Sequence, residues 1–149
     1  MMDLSNLTEI YEKNDLKTQY SRSEHSKYNN IRVKTNDYNF DSKVEYERYL
    51  ILKELEKNGE ISNLRYHNKN DIIILLDDPI IKYEPDFCYD DKNGKHIVED
   101  IKGFETEVFK LKKKMIISKI KKLELDATFI ITKKNQDGFK IIFEYSKSE

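Results

Sequence analysis

Three charged residues in two short, strand-like segments have the types and spacing of a metal-dependent catalytic site. Asp86 lies in the first segment, IIKYEPDFCYD, while Asp100 and Lys102 lie in the second, KHIVEDIKG, after an Asn-Gly turn. Residues two apart share one face of a strand, so the side chains of Asp100 and Lys102 are expected to point the same way. A carboxylate from each neighbouring strand, with a lysine beside them, would form one acidic pocket containing one positive charge.

The chemistry of such a pocket follows from its charges. Two carboxylates held together repel each other, and the pKa of one rises unless a cation lies between them. Hard oxygen ligands suit Mg²⁺ or Mn²⁺ rather than zinc. Lys102 could orient an attacking water, help to deprotonate it, or stabilise the charge that develops on a phosphorus centre. The three residues therefore indicate cleavage of a phosphodiester bond.

The composition excludes several other classes of protein. The 149 residues are enough for one domain with a hydrophobic core. The 27 basic and 28 acidic residues nearly cancel, so a nucleic-acid binder would need a segregated basic face. The one cysteine, Cys88, excludes an intramolecular disulfide, and the three histidines lack metal-ligand spacing. Because no apolar run could span a bilayer, we expect a soluble, cytoplasmic protein without a membrane partner. We also expect no small-molecule cofactor.

The elements that must position the three residues are predicted in the order helix, three strands, helix, two strands. A first helix is predicted between Ser42, as N-cap, and the Asn58-Gly59 stop, with an apolar stripe of Val44, Ile51 and Leu55. Residues 71–76, DIIILL, predict a buried strand, and the two segments around DKNG predict a hairpin.

A second helix and a second hairpin follow along the chain. The segment ETEVFKLKKKMIISKIKKLEL opens with acids and ends with lysines, as suits the helix dipole. Residues 127–133 predict another buried strand, and residues 138–145 are expected to pair with it through a turn at NQDG. The order predicts an α/β (α+β) fold with a C-terminal β-hairpin. The apolar face of the second helix is expected to contain Val108, Phe109, Leu111, Met115, Ile116, Ile120 and Leu123.

The polar N-terminal region is expected to lie outside the domain. Residues 1–37 are rich in Ser, Asn, Tyr and Lys and show no sustained apolar period, which is typical of an arm or tail. A short helix near Leu4 to Lys17 is one alternative. The arm could be flexible, touch nucleic acid through its tyrosines, or contact a second subunit. The domain itself is predicted over residues 38–149.

The motif Pro85-Asp86, a hairpin, and then Asp100-Ile101-Lys102 resembles the catalytic signature of the PD-(D/E)XK nuclease superfamily. The wider pattern FDSKxE, YLxL, GEI, YxxDFxY and VxDxKG is similar to a family of small phage-encoded proteins in that superfamily. Endonuclease-I-type Holliday-junction resolvases of phages and TnsA-type transposon nucleases resemble it in layout. The resemblance covers roughly residues 28–133, and it implies a restriction-endonuclease-like αβββαβ core around a central mixed sheet.

The resemblance also implies roles for residues of this chain. Asp86 and Asp100 would share one or two Mg²⁺ ions, with Mn²⁺ as a substitute, and the Ile101 carbonyl would be a backbone ligand. Lys102 would position the attacking water. Glu99 is adjacent to the motif but out of register with it, so no main ligand role is assigned to it.

The helix that precedes the hairpin commonly carries a glutamate in this superfamily, and the best match is Glu45. The pattern Ser42-x-x-Glu45 is also a capping box, in which the glutamate only satisfies the helix N-terminus. Glu47 is the alternative ligand if the helix is rotated.

A lysine-rich run between Lys110 and Lys122 follows the motif directly. A solvated helix face is the usual explanation for such a run. Because the run begins beside the proposed site, phosphate contact is the competing explanation, and each neutralised phosphate would add salt dependence. The candidate DNA-binding residues are Lys110, Lys112, Lys113 and Lys114.

Together these features predict a metal-dependent endodeoxyribonuclease. The resemblance implies branched DNA as substrate, a homodimer, and a role in DNA recombination or processing in a bacterial host, encoded by a phage. Alternatives within the class are a nicking, end-processing or transposon-type cutter. Alternatives outside it are a DNA-binding module of the same fold without catalysis, and an interaction protein whose acidic hairpin is only a surface.

Overall fold

The computed structural model describes residues 19–22 and 30–147, and it shows a mixed α+β fold. Within these residues, no helix is both long enough and apolar enough to cross a membrane. In chain order, the elements are β1 (Gln19–Arg22), β2 (Ile31–Lys34), β3 (Asn39–Phe40), α1 (Lys43–Lys57), β4 (Ile61–Tyr66), a 3₁₀ turn (Lys69–Asp71), β5 (Ile73–Asp77), β6 (Ile80–Tyr83), β7 (Phe87–Asp91), β8 (His96–Ile101), α2 (Glu107–Lys121), β9 (Thr128–Asn135) and β10 (Gly138–Tyr145).

A five-stranded mixed sheet forms the centre of the fold. Its order is β10-β9-β8-β7-β4, with β8 and β9 parallel and every other neighbouring pair antiparallel. Parallel neighbours need a long crossover connection, and α2 supplies it between β8 and β9. The predicted C-terminal hairpin is confirmed as β9–β10. The predicted hairpin around DKNG is confirmed as β7–β8, but residues 80–83 of its first segment form β6, which pairs with β5 instead.

Both helices begin and end where local chemistry favours a boundary. The Ser42 hydroxyl accepts a hydrogen bond from the backbone N–H of Glu45 at 3.1 Å, as expected for the predicted N-cap. Asn58 is the C-cap, and Gly59 follows it with a φ of 76°, a conformation that glycine adopts without strain. In α2 the N-cap is Thr106, whose hydroxyl accepts from the Phe109 N–H.

The two faces of the sheet pack against different helices. Along β8, Ile97 packs in the core with α1, and its neighbour Val98 packs in the core with α2, because successive strand residues point to opposite faces. The alternation continues to the end of the strand. It places Glu99 on the α1 face and Asp100 on the α2 face, where each carboxylate meets different partners.

The strand expected at residues 71–76 is present as β5, but the expectation that it is buried is wrong. Strand β5 pairs only with β6, in a separate two-stranded sheet, and its register shifts between Ile74 and Leu76. Leu75 is buried at 7% exposure, whereas Ile74 and Leu76 are 43% and 41% exposed. The hairpin lies against α2, and because it covers the central sheet instead of joining it, only part of its apolar sequence is removed from solvent.

The strand of the central sheet that the sequence did not predict is β4, which lies at one edge of that sheet. It contains two consecutive polar residues, Ser62 and Asn63, and its pairing with β7 shifts register between Ser62 and Arg65. Asn63, at this irregularity, has a φ of 55°. Because a bulge interrupts the two-residue period, the segment lacks the pattern that indicates a strand.

The expected apolar face of α2 is only partly correct. Phe109, Ile116 and Ile120 are buried, and Met115 is partly buried against them. Three other residues that were expected on this face, Val108, Leu111 and Leu123, are exposed, since β9 and the β5–β6 hairpin cover only a narrow stripe of the helix.

The described part of the N-terminal region forms strands. Strands β1 and β2 pair with each other, and β2 also pairs with β3. Val33 in β2 is buried in the core beside Phe40. The domain boundary at residue 38 stays a prediction, and the possible helix near Leu4 to Lys17 lies outside the described residues.

A buried ion pair ties α1 to the central strand β8. Glu99 has no exposed surface and accepts two hydrogen bonds from the Arg48 guanidinium, at 2.7 and 2.9 Å. The hydroxyls of Tyr89 and Thr132 donate to the same carboxylate at 2.8 and 3.1 Å. Burial would lower the pKa of Arg48, but the charge of Glu99 and the hydrogen bonds to Glu99 and Tyr89 together outweigh burial and raise it, so the guanidinium stays charged.

We expect Glu99→Ala to destabilise the fold by about 3–5 kcal/mol, because it leaves the Arg48 charge buried without its partner. Urea denaturation would measure the loss. Glu60→Ala, at an exposed position after α1, is the matched control and should change stability by less than about 0.5 kcal/mol. Equal stabilities of the two variants would contradict the importance of this ion pair.

Candidate active site

A cavity of about 450 Å³ lies where strand β8 ends. It brings together Asp86, Asp100 and Lys102, the three residues that the sequence pattern singled out. Strand β6 and the start of α2 form its other walls. The remaining lining residues are His67, Lys82, Tyr83, Glu84, Thr106, Val108, Phe109 and Lys112.

Asp86 is fixed by the backbone of the neighbouring strand. It lies directly before β7, and its Oδ2 accepts a hydrogen bond from the Ile101 N–H at 2.7 Å. Its Oδ1 lies 2.9 Å from Nε2 of His67. Burial, and then the nearby charge of Asp100, raise the pKa of the Asp86 carboxyl well above its ordinary value. A cation at this position would offset both effects.

Asp100 is buried, and one of its two oxygens is left without a hydrogen bond. Oδ1 accepts from the Tyr83 hydroxyl at 2.7 Å. Oδ2 lies 2.9 Å from Nζ of Lys102, an ion-pair contact, yet it accepts no hydrogen bond. Burial raises the pKa of Asp100 although the charge of Lys102 opposes the rise. A buried carboxylate oxygen in this state can still accept an additional cationic partner.

Lys102 is held between a carboxylate and an aromatic ring. Its backbone N–H donates to the Thr132 carbonyl at 2.9 Å, which aligns the end of β8 with β9. Its ammonium group lies 4.5 Å from the centre of the Phe109 ring. Burial lowers the pKa of Lys102, but the ion pair with Asp100 and the charges of Asp86 and Glu45 together outweigh burial, and the pKa is raised. Lys102 therefore contributes a positive charge to the cavity.

The two carboxylate oxygens of Glu45 have different partners. Oε2 accepts from the Ser42 hydroxyl at 2.7 Å, so the side chain does take part in capping α1. Oε1 lies 3.3 Å from Nε2 of His67 and accepts from the Tyr66 hydroxyl at 3.4 Å. Burial raises the pKa of Glu45, but the hydrogen bonds from His67 and Ser42 outweigh burial and lower it.

The alternative helix ligand, Glu47, points elsewhere. It forms an ion pair with Lys134 on β9. Of the two glutamates considered in α1, Glu45 is therefore the one whose carboxylate shares a histidine with Asp86. The role of Glu45 as a metal ligand stays a prediction.

His67 was missed by sequence analysis, and it connects the two halves of the site. Its Nε2 contacts both Asp86 and Glu45, and its ring stacks on Tyr66 with centres 4.1 Å apart and planes 15° from parallel. Its backbone N–H donates to the Asp86 carbonyl at 3.0 Å, since β4 pairs with β7. No spacing within the sequence indicates this contact, because it depends on the strand that was not predicted.

The four lysines proposed to bind DNA have different environments. Lys112 lines the cavity, and its Nζ donates to the Lys82 carbonyl at 3.0 Å. Lys110 pairs with Glu107, and Lys113 pairs with Glu105. Lys114 is exposed on the helix. Among these four, only Lys112 belongs to the cavity wall.

Fold and site together define a mixed α+β protein with a carboxylate- and lysine-lined cavity at the end of a central strand. The family DUF1064, described as "Protein of unknown function (DUF1064)", matches residues 25–136, and the chain belongs to this family. No curated protein and no solved structure matches the chain.

The contacts of His67 lead to a prediction about pH. Burial lowers the pKa of His67, but hydrogen bonds to Asp86 and Glu45 raise it overall, to about 10. A histidine whose pKa is raised on folding stabilises the folded state. This stabilisation is fully present below the pKa of the unfolded state, about 6.5, and is lost as the pH rises through the pKa of the folded state. In EDTA, we therefore expect His67→Gln to reduce the free energy of unfolding more at pH 6 than at pH 10. Urea denaturation of the wild type and the variant at both pH values measures the loss of unfolding free energy. A loss that is the same at pH 6 and pH 10 would contradict the prediction.

Proposed function

We propose that this protein is a metal-dependent endodeoxyribonuclease with a restriction-endonuclease-like core. The observation that carries the proposal is the convergence of Asp86, Asp100 and Lys102 on one cavity. In sequence they occupy the positions of a nuclease signature, and in the fold they meet at adjacent strand ends. The β8–α2–β9 crossover on the central sheet is compatible with the αβββαβ core that the resemblance implies.

The residues of the cavity fit a hard divalent cation. Oδ2 of Asp100 is buried and accepts no hydrogen bond, and burial together with the nearby charge of Asp100 raises the pKa of Asp86. Asp86, Asp100 and Glu45 would hold Mg²⁺ or Mn²⁺, together with the Ile101 carbonyl. Such an ion, when bound, supplies Lewis-acid activation of water and of the phosphate group.

The chain's own residues account for the remaining requirements of hydrolysis. A water oxygen must attack phosphorus in line. The water gives up a proton to solvent as the new P–O bond forms, while the bond to the leaving oxygen breaks and that oxygen takes up a proton from solvent. The Lys102 ammonium lies beside Asp100, where it can orient the water and stabilise the negative charge that develops on the phosphate. Phe109 lies under this ammonium and limits its position.

The cavity walls suggest how the substrate backbone is held. Lys82 and Lys112 line the cavity beside the carboxylates, and they place positive charge where flanking phosphates would lie. The preference for branched DNA and the homodimer rest on the resemblance to junction resolvases, in which two strands are cut across a two-fold axis. Linear duplex and single-stranded DNA are the competing substrates.

We expect Asp100→Asn and Lys102→Met each to reduce the rate of DNA cleavage about a hundredfold or more, because each removes a charge that acts on the reacting phosphate. The measurement is cleavage of a labelled four-way junction, matched linear duplex and single strand in Mg²⁺, Mn²⁺ or EDTA. Asp77→Asn, at an exposed position of β5, is the control and should cleave like the wild type.

The outcomes separate the alternatives. Cleavage that needs metal and is lost in both site variants supports the proposal, and the ranking of substrates then distinguishes a resolvase from a general nuclease. Wild-type protein that binds DNA but cuts none of the three substrates in either metal would favour a non-catalytic binding module.

A second prediction compares two lysines of one helix. We expect Lys112→Ala to weaken DNA binding and to reduce the slope of log K against log salt by about 0.9, the value for one phosphate contact. Lys114→Ala removes the same charge from an exposed position outside the cavity and should change the slope less. Fluorescence anisotropy in Ca²⁺ at several salt concentrations measures both, and equal slopes would place the phosphate contacts elsewhere.

A further inference from the structure

We propose that His67 is itself a ligand of the divalent ion, through Nε2, and that this nitrogen shifts the metal preference of the site towards Mn²⁺. The inference rests on the proposed function and deepens it. Neither the nuclease signature nor the spacing of the histidines assigns a role to His67.

The spacing of three atoms carries the proposal. Nε2 of His67 lies 2.9 Å from Oδ1 of Asp86 and 3.3 Å from Oε1 of Glu45. In an octahedral site with bonds of about 2.1 Å, adjacent ligand atoms lie about 3 Å apart. Nε2 of His67 therefore already lies at the separation of a neighbouring ligand from each of the two carboxylate oxygens.

Hydrogen bonding alone leaves this arrangement incomplete. Nε2 can carry one hydrogen, which points along one direction, yet carboxylate oxygens of two residues approach it. A cation in contact with all three atoms would satisfy them together. The ligating form of His67 has no proton on Nε2, so that proton passes to the solvent when the ion binds.

The other side of the imidazole ring has the surroundings of a metal-bound histidine. Metal-ligating histidines usually donate their second ring N–H to a carboxylate or carbonyl, which fixes the orientation of the ring. Nδ1 of His67 lies 3.5 Å from Oδ2 of Asp41 and 4.0 Å from Oε1 of Glu84. The ring is also stacked on Tyr66, whose hydroxyl donates to Glu45. These contacts hold Nε2 towards the carboxylates.

The nitrogen ligand has a chemical consequence. Mg²⁺ favours oxygen ligands, whereas imidazole suits more polarisable transition metals, and Mn²⁺ binds more tightly than Mg²⁺ to mixed nitrogen and oxygen sites. Replacing His67 should therefore weaken the binding of Mn²⁺ more than that of Mg²⁺.

The test detects the metal–nitrogen contact directly and does not depend on activity. Mn²⁺ is bound to the full chain without DNA, and electron spin echo envelope modulation reports nitrogen nuclei coupled to the ion. We expect ¹⁴N modulation in the wild type and none in His67→Gln, together with at least an approximately tenfold weaker Mn²⁺ affinity by calorimetry. His96→Gln, which removes a histidine paired with Asp90, should leave both unchanged.

A second measurement needs no change at the site. The double variant His25→Gln, His96→Gln retains His67 as the only histidine of the chain. When this variant is labelled with ¹⁵N-histidine, we expect the ¹⁴N modulation to be replaced by the ¹⁵N pattern. This arm stays informative even where His67→Gln fails to fold.

Two results would overturn the inference. Bound Mn²⁺ without histidine nitrogen coupling would exclude His67 as a ligand, while metal-dependent DNA cleavage by the same protein would leave the nuclease proposal intact. Failure of the wild type both to bind Mn²⁺ and to cut DNA in any metal would overturn the nuclease proposal and this inference together.

Discussion

The burial of two consecutive carboxylates in one central strand is the constraint on which the rest of the structure depends. Glu99 and Asp100 are both buried in β8, and strand geometry directs them to opposite faces of the sheet. Each face must then neutralise one charge, since an unpaired buried charge is very costly. The α1 face does so with Arg48 and two hydroxyls, whereas the α2 face does so with Tyr83 and Lys102.

Glu99 and Asp100 differ in the partners of their carboxylate oxygens. Glu99 has hydrogen-bond donors for both oxygens and no exposed surface, so it can stabilise the packing of α1 on the sheet. Asp100 keeps one buried oxygen without a hydrogen bond and faces a cavity. One strand thus provides a carboxylate that stabilises the packing and, one residue further on, a carboxylate that faces the cavity.

The remaining parts of the site come from elements that lie far apart in sequence. Pairing of β4 with β7 brings His67 to Asp86, and packing of α1 against the same sheet brings Glu45 to the same histidine. The β5–β6 hairpin adds Tyr83 and Lys82 from the other side. Its exposed Ile74 shows why hydrophobicity misled the prediction: an apolar run lies against α2 here and does not enter the central sheet.

The sequence by itself determined the local elements and the core of the candidate site. Caps at Ser42 and Asn58, the Asn-Gly hairpin and the two-residue spacing of Asp100 and Lys102 depend on neighbouring residues, so they could be predicted. Only the tertiary structure decided that β4 joins the sheet, that Glu45 rather than Glu47 faces the site, and that His67 belongs to it. These outcomes depend on long-range strand pairing and on the rotation of α1. The sequence predicts neither, because β4 contains a bulge and α1 has polar and apolar residues on the same face.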